Sequence, residues 1–227
     1  MNETARPAFY ALAPGGWRDY VTLLHPPYTA WHLSYVALGA AIAPRWRPGI
    51  LGLALAAFFL GMGVAAHALD ELHGRPLQTR IGTKTLTGLA LVSLAGAAAI
   101  GVGTAVHTSL WLLAFVAFGA FIAVAYNLEL FGGRFHNTAW FAIAWGALPL
   151  LATYVAAAET IRGEAVAGAA AAALMSYAQR TLSTPVRAMR RRDGHLSAAG
   201  REIEHALRVL SAAMVALAVT LILVRVT

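Results

Sequence analysis

Cysteine is absent from this chain of 227 residues. Disulfides, thiolate nucleophiles and cysteine-held iron–sulfur clusters are therefore excluded. Charge is nearly as scarce, at 12% of the residues, and acids are the scarcer sign, with 10 Asp and Glu against 17 Lys and Arg. So little charge cannot cover a solvated surface when 59% of the chain is apolar and the mean hydropathy is +0.64. A signal-peptide pattern is missing as well, because the first residues carry Pro7, Pro14, Arg18 and Asp19 around no compact apolar core. These absences leave an integral membrane protein.

Crossing about 30 Å of hydrocarbon takes about 20 helical residues. Backbone groups in lipid must be satisfied within the protein, which permits helices or closed barrels, and the apolar runs here are too long for barrel strands. The expected fold is all-α: a polytopic transmembrane helical bundle with about seven spans. Its runs lie near Ala30 to Ala43, Ile50 to Leu69, Leu86 to Gly103, Ser109 to Tyr126, Ala139 to Ala157, Ala165 to Ala178 and Ala206 to Val224. The whole chain, 1–227, forms a single domain, with 1–27 an N-terminal cytoplasmic segment and 28–226 the bundle. Gly96, Gly101 and Gly103 fall inside a span and read as close helix packing, not as a nucleotide loop.

The net charge of +7 sits in short connections. With the N-terminus inside, the cytoplasmic side gathers Arg6, Arg18, Arg75, Arg80, Lys84, Arg134, Arg180, Arg187, Arg190, Arg191, Arg192, Arg201 and Arg208. The other side keeps Arg45, Arg47, Arg162 and Arg225. That is the positive-inside pattern of a multi-pass protein, here expected in a prokaryotic plasma membrane, and it accounts for the basicity without nucleic acid. The histidines segregate in the same way, His107 alone lying outside.

Within this frame the stretch His67 to Gly82, HALDELHGRPLQTRIG, stands out. A carboxylate at membrane depth costs roughly 2.5–3.5 kcal/mol unless something relieves it. On a helix His67 reaches Asp70 and Glu71, and Asp70 reaches His73, a spacing suited to acid/base chemistry or metal ligation. His67, Asp70 and Glu71 are the candidate catalytic residues. His32, His73 and His136 are expected near them on the same side, and Glu202-x-x-His205 has the spacing of a carboxylate-bridged di-metal site. The competing reading is a helix end that has reached water, with His73 against the last carbonyls and Gly74 and Pro76 as the stop.

Several stretches together resemble the UbiA superfamily of intramembrane prenyltransferases. HPPYTAWHLSYVALGAAIA looks like the family's first helix, and HALDELHGRPLQTRI looks like a reduced form of its first Asp motif with the following Arg-Pro-Leu. AYNLELFGGRFHNTAWFAIAWGALPLLATYVAA is similar to its Tyr-containing loop and Gly-x-x-Pro helix, and RTLSTPVR is similar to the Thr-Leu turn after its second Asp motif. Asp70 matches the second aspartate of the first motif. Ala66, His67 and Gly74 stand where the family has Asn, Asp and Asp, and MSYAQRT at Met175 to Thr181 carries no acid where the second motif belongs. The family also has nine spans.

The resemblance implies a membrane lipid or isoprenoid substrate and a divalent metal. An anionic head would meet Arg75, Arg80, Lys84, Tyr126 and Arg134, and a homodimer would supply the missing helices. Magnesium, the family's ion, prefers oxygen ligands. The set His32, His67, Asp70, Glu71, His73, His136, Glu202 and His205 suits iron, manganese or zinc instead. Three functions follow: a lipid- or isoprenoid-transforming enzyme, a His/carboxylate redox or hydrolytic centre, and a non-catalytic lipid-binding, transport or scaffold protein.

The topology is testable in this cysteine-free chain. Single cysteines placed in the N-terminal segment and between Arg180 and Arg201 should react with an impermeant maleimide from the same, cytoplasmic side, and opposite accessibility would remove the seven-span arrangement.

Overall fold

The structure, a computed structural model, describes residues 6–227. Helix is the regular structure throughout: α1 Trp17–Leu23, α2 Pro26–Ile42, α3 Pro48–Gly74, α4 Thr83–His107, α5 Leu112–Asn127, α6 Thr138–Ala158, α7 Gly163–Asp193 and α8 Ala198–Val226. Four of these, α3, α4, α6 and α8, are long and apolar enough to cross a membrane, and α5 is a shorter apolar helix. Each apolar run of the sequence falls within or along one helix, with the largest extensions in α7 and at the start of α8.

Local chemistry sets the helix ends. Pro26 and Pro48 occupy first turns, where a missing N–H costs nothing. Asn137 and Ser197 accept the Trp140 and Gly200 amides at 3.0 and 3.1 Å and so cap α6 and α8. Gly194, with φ of 69°, ends α7 in the left-handed region.

The length of α7 departs from the sequence expectation. Its run was expected to stop near Ala178, with Arg180 to Arg187 forming a turn, but the chain stays helical to Asp193. The helix passes Pro185 with local hydroxyl bonds nearby, Thr181 donating to the Tyr177 carbonyl at 2.9 Å and Thr184 to the Arg180 carbonyl at 2.7 Å. Arg180 and Arg187 are thereby carried on a rigid helix instead of a loop.

Successive long helices run in opposite directions, so the bundle has two chemically different ends. One end is tied by the Arg47–Glu159 ion pair at 2.7 Å and by Arg225, which donates to the Ala43 carbonyl at 2.9 Å. The other gathers the N-terminal segment, the starts of α2, α4, α6 and α8, and the ends of α3, α5 and α7. There Arg187 lies over the Tyr28 ring and Arg208 over Phe9, 5.7 and 4.5 Å from the centroids.

Helix α2 is the hub, packing on α8, α6 and α3 with Trp31, Tyr35 and Val36 fully buried. Two glycines allow the closest approaches. A Cβ on Gly39 would collide with the Leu150 carbonyl of α6, and one on Gly146 would stand 2.5 Å from the Ala172 carbonyl of α7. Outward faces of α4 and α8 stay apolar, with Leu91, Val92, Val106, Val219 and Leu223 exposed. Such surfaces suit lipid contact.

Two helices change winding part-way. Phe59–Ala66 within α3 and Ala142–Ala147 within α6 are π-helical. Met62 and Ala66 of the first pack with Ala144 and Trp145 of the second, beside Ile122 and Tyr126 of α5. Such segments recur at functional sites because they re-aim the side chains that follow.

Gly39→Ala should lower the thermal midpoint of the detergent-solubilised protein, overpacking of this kind costing about 1–3 kcal/mol. Gly88→Ala, where a Cβ meets nothing within 4 Å, should not lower it.

Candidate functional site

The polar end is shaped first by the segment between α3 and α4. Glu71 is fully buried, and its carboxylate accepts from the Leu77 amide at 3.0 Å and from the Thr79 amide and hydroxyl, each at 2.8 Å. Asp19 of α1, also buried, accepts the Arg80 amide at 2.9 Å and the Gly15 amide at 2.9 Å. Arg75, in the left-handed region at φ of 50°, donates back to the Ile81 carbonyl at 2.7 Å. Charged side chains thus satisfy backbone groups that no helix supplies, and the segment becomes a fixed rim.

This arrangement separates the two adjacent acids. Glu71 turns to the rim, whereas Asp70 faces the bundle, where Arg187 and Arg180 are the cations around it and His136 is a further neighbour. No side chain forms an ion pair with Asp70 among the described residues. Arg187 is the central cation of the group, with Tyr10, Tyr28, Asp70 and Tyr126 about it. Arg180 donates to the Tyr126 hydroxyl and lies over the Tyr126 and Phe141 rings, 5.3 and 5.4 Å from their centroids.

Three histidines adjoin these charges. The His25 and His67 rings stack at 4.0 Å, and His32 stands next to both. His67 Nδ1 lies 3.0 Å from the Gly63 carbonyl, within the first π-helical segment. A carbonyl can only accept, so Nδ1 carries the proton and Nε2 presents a lone pair. His136 follows the same rule, with Nδ1 2.9 Å from the Tyr126 carbonyl. In the short connection before α2, burial, with His67 and Arg187 alongside, holds the His25 ring well below the usual imidazole range. His25 is accordingly neutral at physiological pH.

Of the residues singled out from sequence, the fold brings His67, Asp70, His32, His136 and Tyr126 to one region. His73 is exposed at its edge, 3.9 Å from Glu129, which also lies 3.8 Å from His136. Arg80, Lys84 and Arg134 are exposed around the rim, and Arg75 is engaged by rim carbonyls. Glu202 and His205 lie exposed on α8, while Glu204 between them is buried and pairs with Arg190 at 2.7 Å and Arg208 at 2.9 Å.

The expected metal set is not assembled: no three His, Asp or Glu side chains converge as ligands among the described residues. The physical reason is local. Glu71 has given its oxygens to the rim, and Asp70 has cations around it where a bound metal would stand. The residues present do not fit a divalent ion.

Beneath the polar group runs an apolar cleft of about 140 Å³ among α3, α4, α5 and α6. It extends from Ile50 and Thr104 near the opposite end to Ala66, Ile122 and Trp145. Trp145 is 4.8 Å from the Tyr126 ring, so the cleft reaches the edge of the polar region. A greasy channel leading to cations, a carboxylate and imidazole lone pairs can hold an amphipathic molecule and move a proton at its head.

Comparison with protein-family models, curated proteins and solved structures gives no match to this chain.

Sequence reasoning passed over Tyr10, His25, Gln179, Arg180 and Arg187 as site residues. A signal was present on α7: Ser176, Gln179, Arg180, Ser183 and Arg187 recur at helical spacing and form a polar stripe. Treating Arg180 to Arg187 as a turn hid it.

Glu71→Gln should loosen the rim, since an amide cannot accept on both arms, at a cost of about 1–3 kcal/mol. Trypsin should then cleave after Arg80 faster than in the wild-type protein, with peptide mapping as the readout.

Proposed function

We propose that the protein is a divergent, UbiA-like intramembrane enzyme of seven spans that acts on a long-chain lipid or isoprenoid at its cytoplasmic end. The observation that carries this reading is the apolar cleft that reaches Trp145, whose ring lies 4.8 Å from that of Tyr126, the residue to which Arg180 donates. The chain of the substrate lies in the cleft and its head meets the cations. Asp70 and His67 serve as the acid/base pair, His67 through its Nε2 lone pair. Alternation of helix direction supports α2, α5 and α7 as spans beside the four long apolar helices, and the loading of Lys and Arg onto the polar end supports that end as cytoplasmic.

The family chemistry implied by the resemblance relies on a metal between acids and diphosphate. No step assigned here depends on one, because the acids needed for it are missing or engaged. The same fact supports a second reading, a carrier or scaffold that retains a lipid without transforming it.

Both are tested on the purified protein by extracting co-purified lipid and by offering prenyl and acyl lipids with alcohol, carboxylate, phosphate or diphosphate heads. Mass spectrometry should find a bound long-chain lipid and a product whose formation falls at least tenfold in Asp70→Asn. Binding without any product favours the carrier, and no lipid bound under any condition overturns both.

A further inference from the structure

The chemistry of the head group can be read from what the polar region leaves unmatched, taking the lipid reading above as its basis. Buried polar atoms are nearly always hydrogen-bonded in folded proteins. Here six buried side-chain atoms lack a partner among the described residues, and five belong to this one region: the Tyr10 hydroxyl, His25 Nε2, both ring nitrogens of His32 and Gln179 Oε1. His32 and Gln179 are almost wholly enclosed, at 3% and 2% exposure. His32 has Gln179 and the Tyr28 backbone close to it, which leaves the Tyr10 hydroxyl and His25 Nε2 as the atoms that most call for a guest's donors and acceptors.

Two further features fix its charge. Arg180 and Arg187 are seven residues apart on α7, two turns and about 10 Å along one helix face. Both guanidiniums lie over aromatic rings and neither is ion-paired among the described residues, unlike Arg190 and Arg208, which share Glu204. Stacking of this kind fixes the guanidinium plane and leaves its edge donors for an oxyanion. With Asp70 the carboxylate near them, the two arginines leave at least one positive charge uncompensated. A diphosphate would bring more negative charge than that, and the side chains that would seat a metal to neutralise the surplus do not converge.

The imidazoles then specify donors. His67 and His136 each hold their Nδ1 proton on a backbone carbonyl, so both Nε2 atoms ask for an O–H or N–H from the guest. A fully ionised phosphate has none to give.

We infer that this site takes a lipid whose head carries a single negative charge and at least one free hydroxyl, held directly by Arg180 and Arg187 without a divalent cation. A hydroxylated phosphodiester and a hydroxy carboxylate share this chemistry. The guanidiniums hold the oxyanion, and Tyr10, His25, His32, Gln179 and His67 take the hydroxyl side.

The test measures binding to the full-length protein in nanodiscs of phosphatidylcholine. Phosphatidylglycerol and 2-hydroxyhexadecanoate are the two hydroxylated probes, phosphatidylethanol has the same charge without the hydroxyls, farnesyl diphosphate carries more charge, and farnesol carries none. At least one hydroxylated probe should bind tenfold or more tighter than farnesol, and which one does so separates phosphodiester from carboxylate. Its affinity should be unchanged by EDTA, fall at least tenfold in Arg187→Gln but not in the exposed Arg191→Gln, and exceed that of phosphatidylethanol several-fold. If Arg187→Gln fails to fold, Arg180→Gln and the phosphatidylethanol comparison carry the test. Farnesyl diphosphate bound tightest and only with magnesium overturns the inference. Farnesol bound equally well, with no effect of either arginine, overturns it while leaving the lipid reading intact. No binding of any probe removes the lipid reading itself.

Discussion

A buried carboxylate without partners is among the costliest groups a fold can contain, and the polar end of this protein is built around one that has been satisfied. Glu71 sits in full enclosure because three donors of the Leu77 to Thr79 segment converge on it. Hydrogen bonds to an ionised acceptor are worth about 1.5–3 kcal/mol each, enough to offset much of the desolvation. The segment could otherwise not hold Arg75 and Gln78 in the left-handed region, at φ of 50° and 55°. Asp19 repeats the device from α1, so the N-terminal segment and the rim are fixed to one another. From that fixed rim follow the positions of Tyr10 and His25, and with them the walls of the polar region.

The neighbouring Asp70 has the opposite fate. One residue along the helix turns its side chain by about 100°, away from the rim and toward α7. Adjacent acids thus serve different ends: Glu71 completes the backbone of a loop, and Asp70 balances part of the charge of two arginines. Their adjacency in the sequence signals a shared site, yet helix geometry dictates that they diverge.

The helices were legible because hydropathy over about 20 residues is a strong signal in membrane proteins. Each run, from Ala30 to Ala43 through Ala206 to Val224, found its helix. The importance of His67 and Asp70 was legible for the same reason, since ionisable groups stand out against an apolar background. What escaped was anything decided by partners distant in the chain. Arg75 looked like an anion ligand until the Ile81 carbonyl claimed it, and Glu202 and His205 had ligand spacing on a helix face turned away from the site. Arg187 escaped because the resemblance of RTLSTPVR to a family turn pointed to a loop, whereas the chain stays helical through Pro185.

The two π-helical stretches carry a consequence for how this architecture could change over time. Each holds more residues per turn than its flanks, so the phase of α3 beyond Ala66 and of α6 beyond Ala147 depends on how many residues the stretch contains. Wider winding absorbs an extra residue, so losing one there would let ordinary winding resume with everything downstream nearly in phase, and Asp70 would keep its direction. The same deletion a turn away, within ordinary helix, would swing Asp70 by about 100°. The wide turns are thus the places where either helix can change its length by one codon without re-aiming what lies beyond.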